Sequence, residues 1–292
     1  MKARSIFMMM LLMILFSVNT NAQGSIQNPM RAGNTSSIKG DVNNDGVVNA
    51  ADVVELVKII MNNGGNNGGG TNGDDIYDED ISELTWTVKV GDVSFTMVGV
   101  GGGTFQMGDS NANAIPVHEV SLSSFCIGQT EVTQGLWYAV MGYKPTKYGT
   151  KWNSASGMGD PYPVYYVSWD DCQEFIAKLN EMTGLEFRMP TEAEWEFAAR
   201  GGKKSRGYKY SGSNAIDDVA WYKTKTVTPV STVAGKEPNE LGIFDMTGNV
   251  YEWCSDWYGK YTSDAQINPT GPETGTYRVY RGGSTDNEQY RC

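Results

Sequence analysis

The 292-residue sequence predicts an α+β, loop-rich domain with a small calcium-type loop-and-helix module ahead of it. Three observations predict this. Glycine and large rings are both abundant (35 Gly; 8 Trp, 16 Tyr and 9 Phe), which suits irregular segments whose gaps are filled by aromatics rather than a helical bundle. Helix starts are spelled out by Thr191 with Glu194 and by Ser168 with Asp171, pairs in which each side chain can satisfy a first-turn backbone N–H. Strand-like alternation runs through Thr85–Val90 and, after Gly91 and Asp92, resumes over Val93–Val100.

The chain opens on a positive flank, Lys2 and Arg4, followed by an apolar run over 6–18 and small residues at Thr20, Asn21 and Ala22. That pattern reads as an export signal spanning 1–22, with a spacer over 23–39. The run is short for a membrane span and no second one follows, so the mature chain is expected to be secreted, periplasmic or on the cell surface, without a transmembrane segment. A formal net charge of −11 argues against nucleic-acid binding, which needs concentrated Lys and Arg.

Residues 40–63 carry oxygen side chains at positions 1, 3, 5, 9 and 12 of a 12-residue loop: Asp41, Asn43, Asp45, Asn49 and Asp52. Gly46 stands at the sharp sixth position, and Val47 offers its carbonyl at the seventh. This is the spacing that wraps oxygen around a hard cation such as Ca²⁺, with Asp52 one methylene shorter than the usual Glu. Val53, Leu56, Val57 and Ile60 then recur at helical spacing. The segment resembles one repeat of a type I dockerin, an EF-hand-like motif. Dockerins carry two such repeats packed together, and one is found here, which argues against cohesin docking. A Gly/Asn-rich, then acidic, linker occupies 64–83.

In the remainder, 84–292, Trp169, Cys172, Phe175, Ile176 and Leu179 mark one face of a helix, so Cys172 is expected to be buried and inert. Four cysteines (126, 172, 254, 292) permit two disulfides in three pairings, which the sequence does not choose between. His118, the single histidine, is expected on a partly exposed strand without a catalytic partner. The stretch from Asp245 to Trp253 reads as a structured loop. Trp152, Tyr162, Tyr165 and Tyr166 either line a peptide or glycan groove or fill the core, and core filling is the expected role.

Six segments occur in one order: 102–108, 127–134, 163–175, 187–202, 238–253 and 278–284. The most specific runs Phe187, Arg188, Met189, Pro190, Thr191, Glu192, Ala193, Glu194, Trp195, and the series closes on Arg281, Gly282, Gly283 and Ser284. Together they resemble the formylglycine-generating enzyme, or sulfatase-modifying factor, family. The resemblance implies a C-type-lectin-like fold and a structural Ca²⁺ held by Asp245, Gly248, Val250 and Glu252, two through carboxylates and two through carbonyls. A second calcium of the family is not expected, since Val219 lacks the side-chain oxygen that site needs.

The same resemblance implies a Cu(I) centre between two cysteines. Cys292 matches the second, Ser284 matches the preceding serine, and Asn287 stands where the first cysteine belongs. An amide does not replace a thiolate on a soft ion, so Ser284 and Cys292 are what remain of the catalytic set and oxidase activity is expected to be lost. Family members also run on through closing strands beyond the position of Cys292. Three functions follow: a calcium-stabilised extracellular module binding a protein, peptide or glycan; an active sulfatase-modifying oxidoreductase; or a retroelement-diversified display protein whose variable residues lie at 285–291.

Overall fold

A computed structural model describes residues 84–110, 114–144, 157–224 and 229–288, together with the backbone of two short segments near the N-terminus. The calcium-type loop, with Asp41, Asn43, Asp45, Val47, Asn49 and Asp52, lies outside the described residues, as do Trp152 and Cys292.

The short N-terminal segments are strands β1 (Met10–Leu12) and β2 (Leu15–Phe16). The domain proper runs β3 (Thr85–Val90), β4 (Val93–Val100), β5 (Gly103–Met107), β6 (His118–Leu122) and β7 (Phe125–Gly128). Helices α1 (Gln134–Met141) and α2 (Trp169–Thr183) follow, then β8 (Phe187–Arg188), α3 (Glu192–Ala199) and a short α4 (Ile216–Val219). Strands β9 (Tyr251–Trp257), β10 (Gln266–Ile267) and β11 (Arg278–Arg281) complete it. They form three sheets, ordered β3-β4-β7-β2-β8, β10-β6-β5 and β1-β9-β11. The backbone of β2, inside the expected leader, pairs antiparallel with both β7 and β8.

Side chains alternate across a strand, and β4 and β7 use both faces. Met97 and Cys126 enter one core with Trp137 of α1 and Phe175 of α2, whose rings stack at 5.1 Å. Val98, Val100, Phe125 and Ile127 enter a second core with Trp195 and Phe197 of α3. Burial on both sides gives Phe125–Gly128 a continuously buried pattern.

Both anticipated helix starts are present as full capping boxes, Ser168 with Asp171 and Thr191 with Glu194. Cys172 is fully buried on α2, as are Phe175 and Leu179. Tyr165 fills the core, its hydroxyl donating to the Gly157 carbonyl at 2.8 Å, while Tyr162 and Tyr166 pack against that core half-buried.

Two expectations are corrected. The stretch from Asp245 is a loop only to Val250; Tyr251–Trp257 is a regular strand with alternating burial. Its inward positions are Glu252, Cys254 and Asp256, and those two carboxylates hid the apolar-in, polar-out alternation by which a strand is recognised. His118 lies on a strand as expected but is buried, with its ring 5.0 Å from that of Tyr261. That aromatic neighbour arrives from 143 residues further along the chain, which local patterning does not reveal.

Candidate functional site

Two clusters of expected site residues are joined through backbone. The first is built on the 245–250 loop. Asp245, Gly248 and Asn249 all have positive φ (60°, 85° and 53°), a left-handed path that turns the chain sharply before β9. At Gly248 the turn also presses against Trp221, whose carbonyl oxygen would lie 2.3 Å from an added Cβ. The Asn249 amide donates to that carbonyl at 2.8 Å.

This geometry draws three carboxyl groups into the interior. Asp245, Glu252 and Glu131 are 3%, 0% and 1% exposed. Each spends one oxygen on the protein. Asp245 Oδ2 accepts from the Ala234 amide at 2.6 Å, Glu252 Oε2 from the Trp195 indole at 2.7 Å, and Glu131 Oε2 from Asn249 Nδ2 at 3.1 Å. The second oxygen of each, Asp245 Oδ1, Glu252 Oε1 and Glu131 Oε1, is buried without a donor while all three are ionised, and a proton on Glu131 would join it to Asp245.

Burial pushes Asp245 up to about 6 and Glu252 up to about 8. It pushes Glu131 well above the usual carboxylate range, with the Asp245 and Glu252 charges adding to the effect. Unpaired buried carboxylate oxygens are costly, so the cluster calls for protons or a cation. Among the described residues no three acidic, imidazole or thiol groups converge closely enough to hold a metal by themselves. A hard cation here would need carbonyl oxygens in its shell, and Gly248 and Val250 lie in the same loop.

Sequence reasoning missed Glu131. It sits in one of the six matching segments, flanked by Thr130 and Val132, but nothing local announces that β7 delivers it to a loop more than 110 residues away.

The second cluster is the turn after β11. Ser284 and Thr285 are buried. Ser284 Oγ donates to Asn287 Oδ1 at 2.9 Å, and the Asn287 amide donates to the Ser284 carbonyl at 2.9 Å. Two contacts lock this turn to the first cluster: the Thr285 amide donates to the Asn249 carbonyl at 2.9 Å, and the Gly248 amide to the Gly282 carbonyl at 2.7 Å. Tyr166, in the left-handed region at φ 63°, faces the turn, and its phenol is raised first by burial and then by the Asp286 charge.

Ahead of the turn, Arg281 binds Glu192 Oε1 and Glu196 Oε2 of α3, both at 2.8 Å. Burial alone would raise Glu196, but Arg281 and Arg200 outweigh it and hold the carboxyl below its ordinary value.

Cys126, Cys172 and Cys254 are free and buried, and burial raises all three thiols, Cys126 to about 12. None is positioned as a reactive thiolate. The folded chain is therefore expected to react with a thiol reagent at no more than one of its four cysteines, and at all four once denatured. Rapid labelling of two or more in native buffer would contradict this burial.

The chain is similar to several known proteins. It is 33% identical over 241 residues to the chaperone protein LppX of Paenibacillus barcinonensis, covering 65% of this chain and 79% of that protein. With the formylglycine-generating enzyme of Thermomonospora curvata it shares 29% over 258 residues, covering 64% and 82%. The solved structure of Treponema denticola variable protein 1 superposes with a TM-score of 0.64 at 32% identity, covering 72% of this chain and 90% of that one. The family model of the sulfatase-modifying factor enzyme 1-like domain matches residues 89–292, and the chain belongs to that family.

Proposed function

We propose that this family member is an extracellular binding module braced by calcium, with the formylglycine-forming reaction lost. The observation that carries the reading is Asn287. It occupies the position of a copper-binding cysteine, and its amide oxygen is engaged by Ser284 Oγ at 2.9 Å. A neutral, hydrogen-bonded amide does not fit Cu(I), which selects thiolates. No step through copper is assigned to Ser284, Asn287 or Cys292.

Calcium fits better. Asp245 and Glu252 each present an unpartnered buried oxygen, Glu131 adds a third, and the Gly248 and Val250 carbonyls supply neutral donors of the kind Ca²⁺ accepts. The ion would supply positive charge where three carboxyls are packed, bracing the loop on which the 284–287 turn rests. The loop at 41–52 is read as a separate calcium site. Similarity to a chaperone protein and to a variable protein supports a binding role, with the 284–288 turn facing a protein, peptide or glycan partner.

The test is Cu(I) titration in competition with a chelator, coupled to aldehyde detection on a sulfatase-type thiol peptide. The chain is expected to bind no stoichiometric Cu(I) and to form no aldehyde. Asn287→Cys, which restores the first cysteine of the pair that the family resemblance implies, is expected to gain Cu(I) binding. Aldehyde formation by the unaltered chain would overturn the reading.

A further inference from the structure

A pocket lies apart from the carboxyl cluster and the 284–287 turn, and meets their frame only at Glu192, which Arg281 also binds. It is a cleft of about 290 Å³ between the start of α3, the start of β6 and the loop that follows β9. Its ionisable lining includes His118, Glu192, Asp256 and Lys260, and Thr262, Gln266 and Thr270 add further polar side chains.

Glu192 and Asp256 each use one carboxylate oxygen on the protein, and the other meets no donor among the described residues. His118 Nδ1 lies 3.1 Å from the Pro116 carbonyl, which accepts only from a protonated Nδ1, and the Nε2 side of the ring is left to the cleft. Asp256 Oδ2 accepts from the Glu192 amide and Ser255 Oγ, both at 3.0 Å, and Oδ1 is unpartnered. Glu192 Oε1 accepts from Tyr261 Oη and Arg281, both at 2.8 Å, and Oε2 is unpartnered. His118 and Asp256 are 4% and 5% exposed, so little but the cleft can reach their free atoms.

The cleft thus offers two carboxylate oxygens beside the His118 ring, and the chemistry that answers such acceptors is a donor-rich cation. A metal ion is disfavoured, because no three such groups among the described residues converge on one point. A sugar is disfavoured because both rings are already engaged: Arg278 caps Trp257 at 3.5 Å from its centroid, and Tyr261 packs on His118. Separated acceptors on an acidic floor suit a planar guanidinium, whose five N–H groups fan out over several ångströms and pair well with carboxylates.

We propose that this cleft is a guanidinium-binding site, taking either a free arginine-like molecule or the arginine side chain of a peptide. Lys260 disfavours a second positive charge and favours a carboxylate on the same ligand.

His118 is the chain's single histidine, so its ring nitrogens give an unambiguous local signal. The experiment is long-range ¹H–¹⁵N NMR of the full chain titrated with methylguanidinium, arginine, a capped Ala-Arg-Ala peptide, n-butylammonium and methyl glucoside. Methylguanidinium is expected to move the Nε2 resonance saturably, with a Kd on the order of 1 mM. Butylammonium and the glucoside are expected to bind about tenfold more weakly or not at all. Arginine tighter than the capped peptide assigns a free ligand, and equal binding assigns a peptide side chain.

Asp256→Asn is expected to weaken binding by about tenfold. Because Asp256 also caps α3, a second variant stands beside it: Lys260→Ala is expected to tighten methylguanidinium binding by about twofold. The site is refuted by a His118 signal that guanidinium leaves unmoved, by glucoside or butylammonium matching guanidinium, by a folded Asp256→Asn chain of unchanged affinity, or by Lys260→Ala leaving affinity unchanged or weaker.

Discussion

Stripping calcium from the chain at pH 8 is expected to lower its melting temperature by roughly 10 °C, while the same treatment at pH 5 changes it little. The sign follows from the buried carboxyls. Asp245 is pushed up to about 6, Glu252 to about 8, and Glu131 well above its ordinary value, chiefly by burial. An acid raised by folding binds its proton more tightly in the native state. Its contribution is fully present below the ordinary carboxylate value near 4 and is lost as pH rises through 6 and then 8.

The metal-free protein should therefore weaken steadily between pH 5 and 8. On the proposed reading calcium would bind the ionised groups and neutralise them, so its benefit would grow over the same interval. Differential scanning fluorimetry in EGTA and in excess calcium at the two pH values measures the effect. Glu252→Gln should remove the pH-dependent increment and leave any contribution from the 41–52 loop. Equal calcium increments at both pH values, or none at pH 8, would show that the three carboxyls do not hold the ion.

Gly248→Ala is expected to destabilise the domain by about 3 kcal/mol or more, whereas Gly242→Ala costs about 1 kcal/mol. Both glycines have positive φ, 85° and 80°, so both substitutions carry the left-handed penalty of an L side chain. The difference is space. A Cβ at 242 meets nothing within 4 Å, but at 248 it meets the Trp221 carbonyl oxygen at 2.3 Å and backbone nitrogen at 3.0 Å. Neither atom can rotate away as a side chain would. The Trp221 carbonyl is also the acceptor for Asn249, whose own carbonyl holds Thr285, so the strain passes into the site turn. Urea unfolding of the two variants measures both costs, and equal costs would show that the Gly248 contact is not rigid.

The sequence made some features legible and concealed others for identifiable reasons. Ser168–Asp171 and Thr191–Glu194 were readable because a capping box is complete within four residues. The Cys172, Phe175, Ile176 and Leu179 face was readable because one helix buries one stripe. The closeness of Asp245 and Glu252 was readable because they share one short loop and its strand. Glu131 was not, because its partnership depends on β7 meeting a distant loop. The cleft beside the start of α3 escaped notice altogether, because His118, Glu192 and Asp256 come from three separated segments and each looks structural by itself.

Arg281 separates the sequence demands of the frame from those of the turn that follows it. Its guanidinium is clamped to Glu192 and Glu196, and Gly282 is tied to Gly248, so the backbone is already aimed before Ser284 begins. Exposed residues beyond that anchor, Asp286 and Glu288 among them, do not carry the burden of holding the architecture together. Substitutions at those positions can therefore change the surface without renegotiating the rest of the domain.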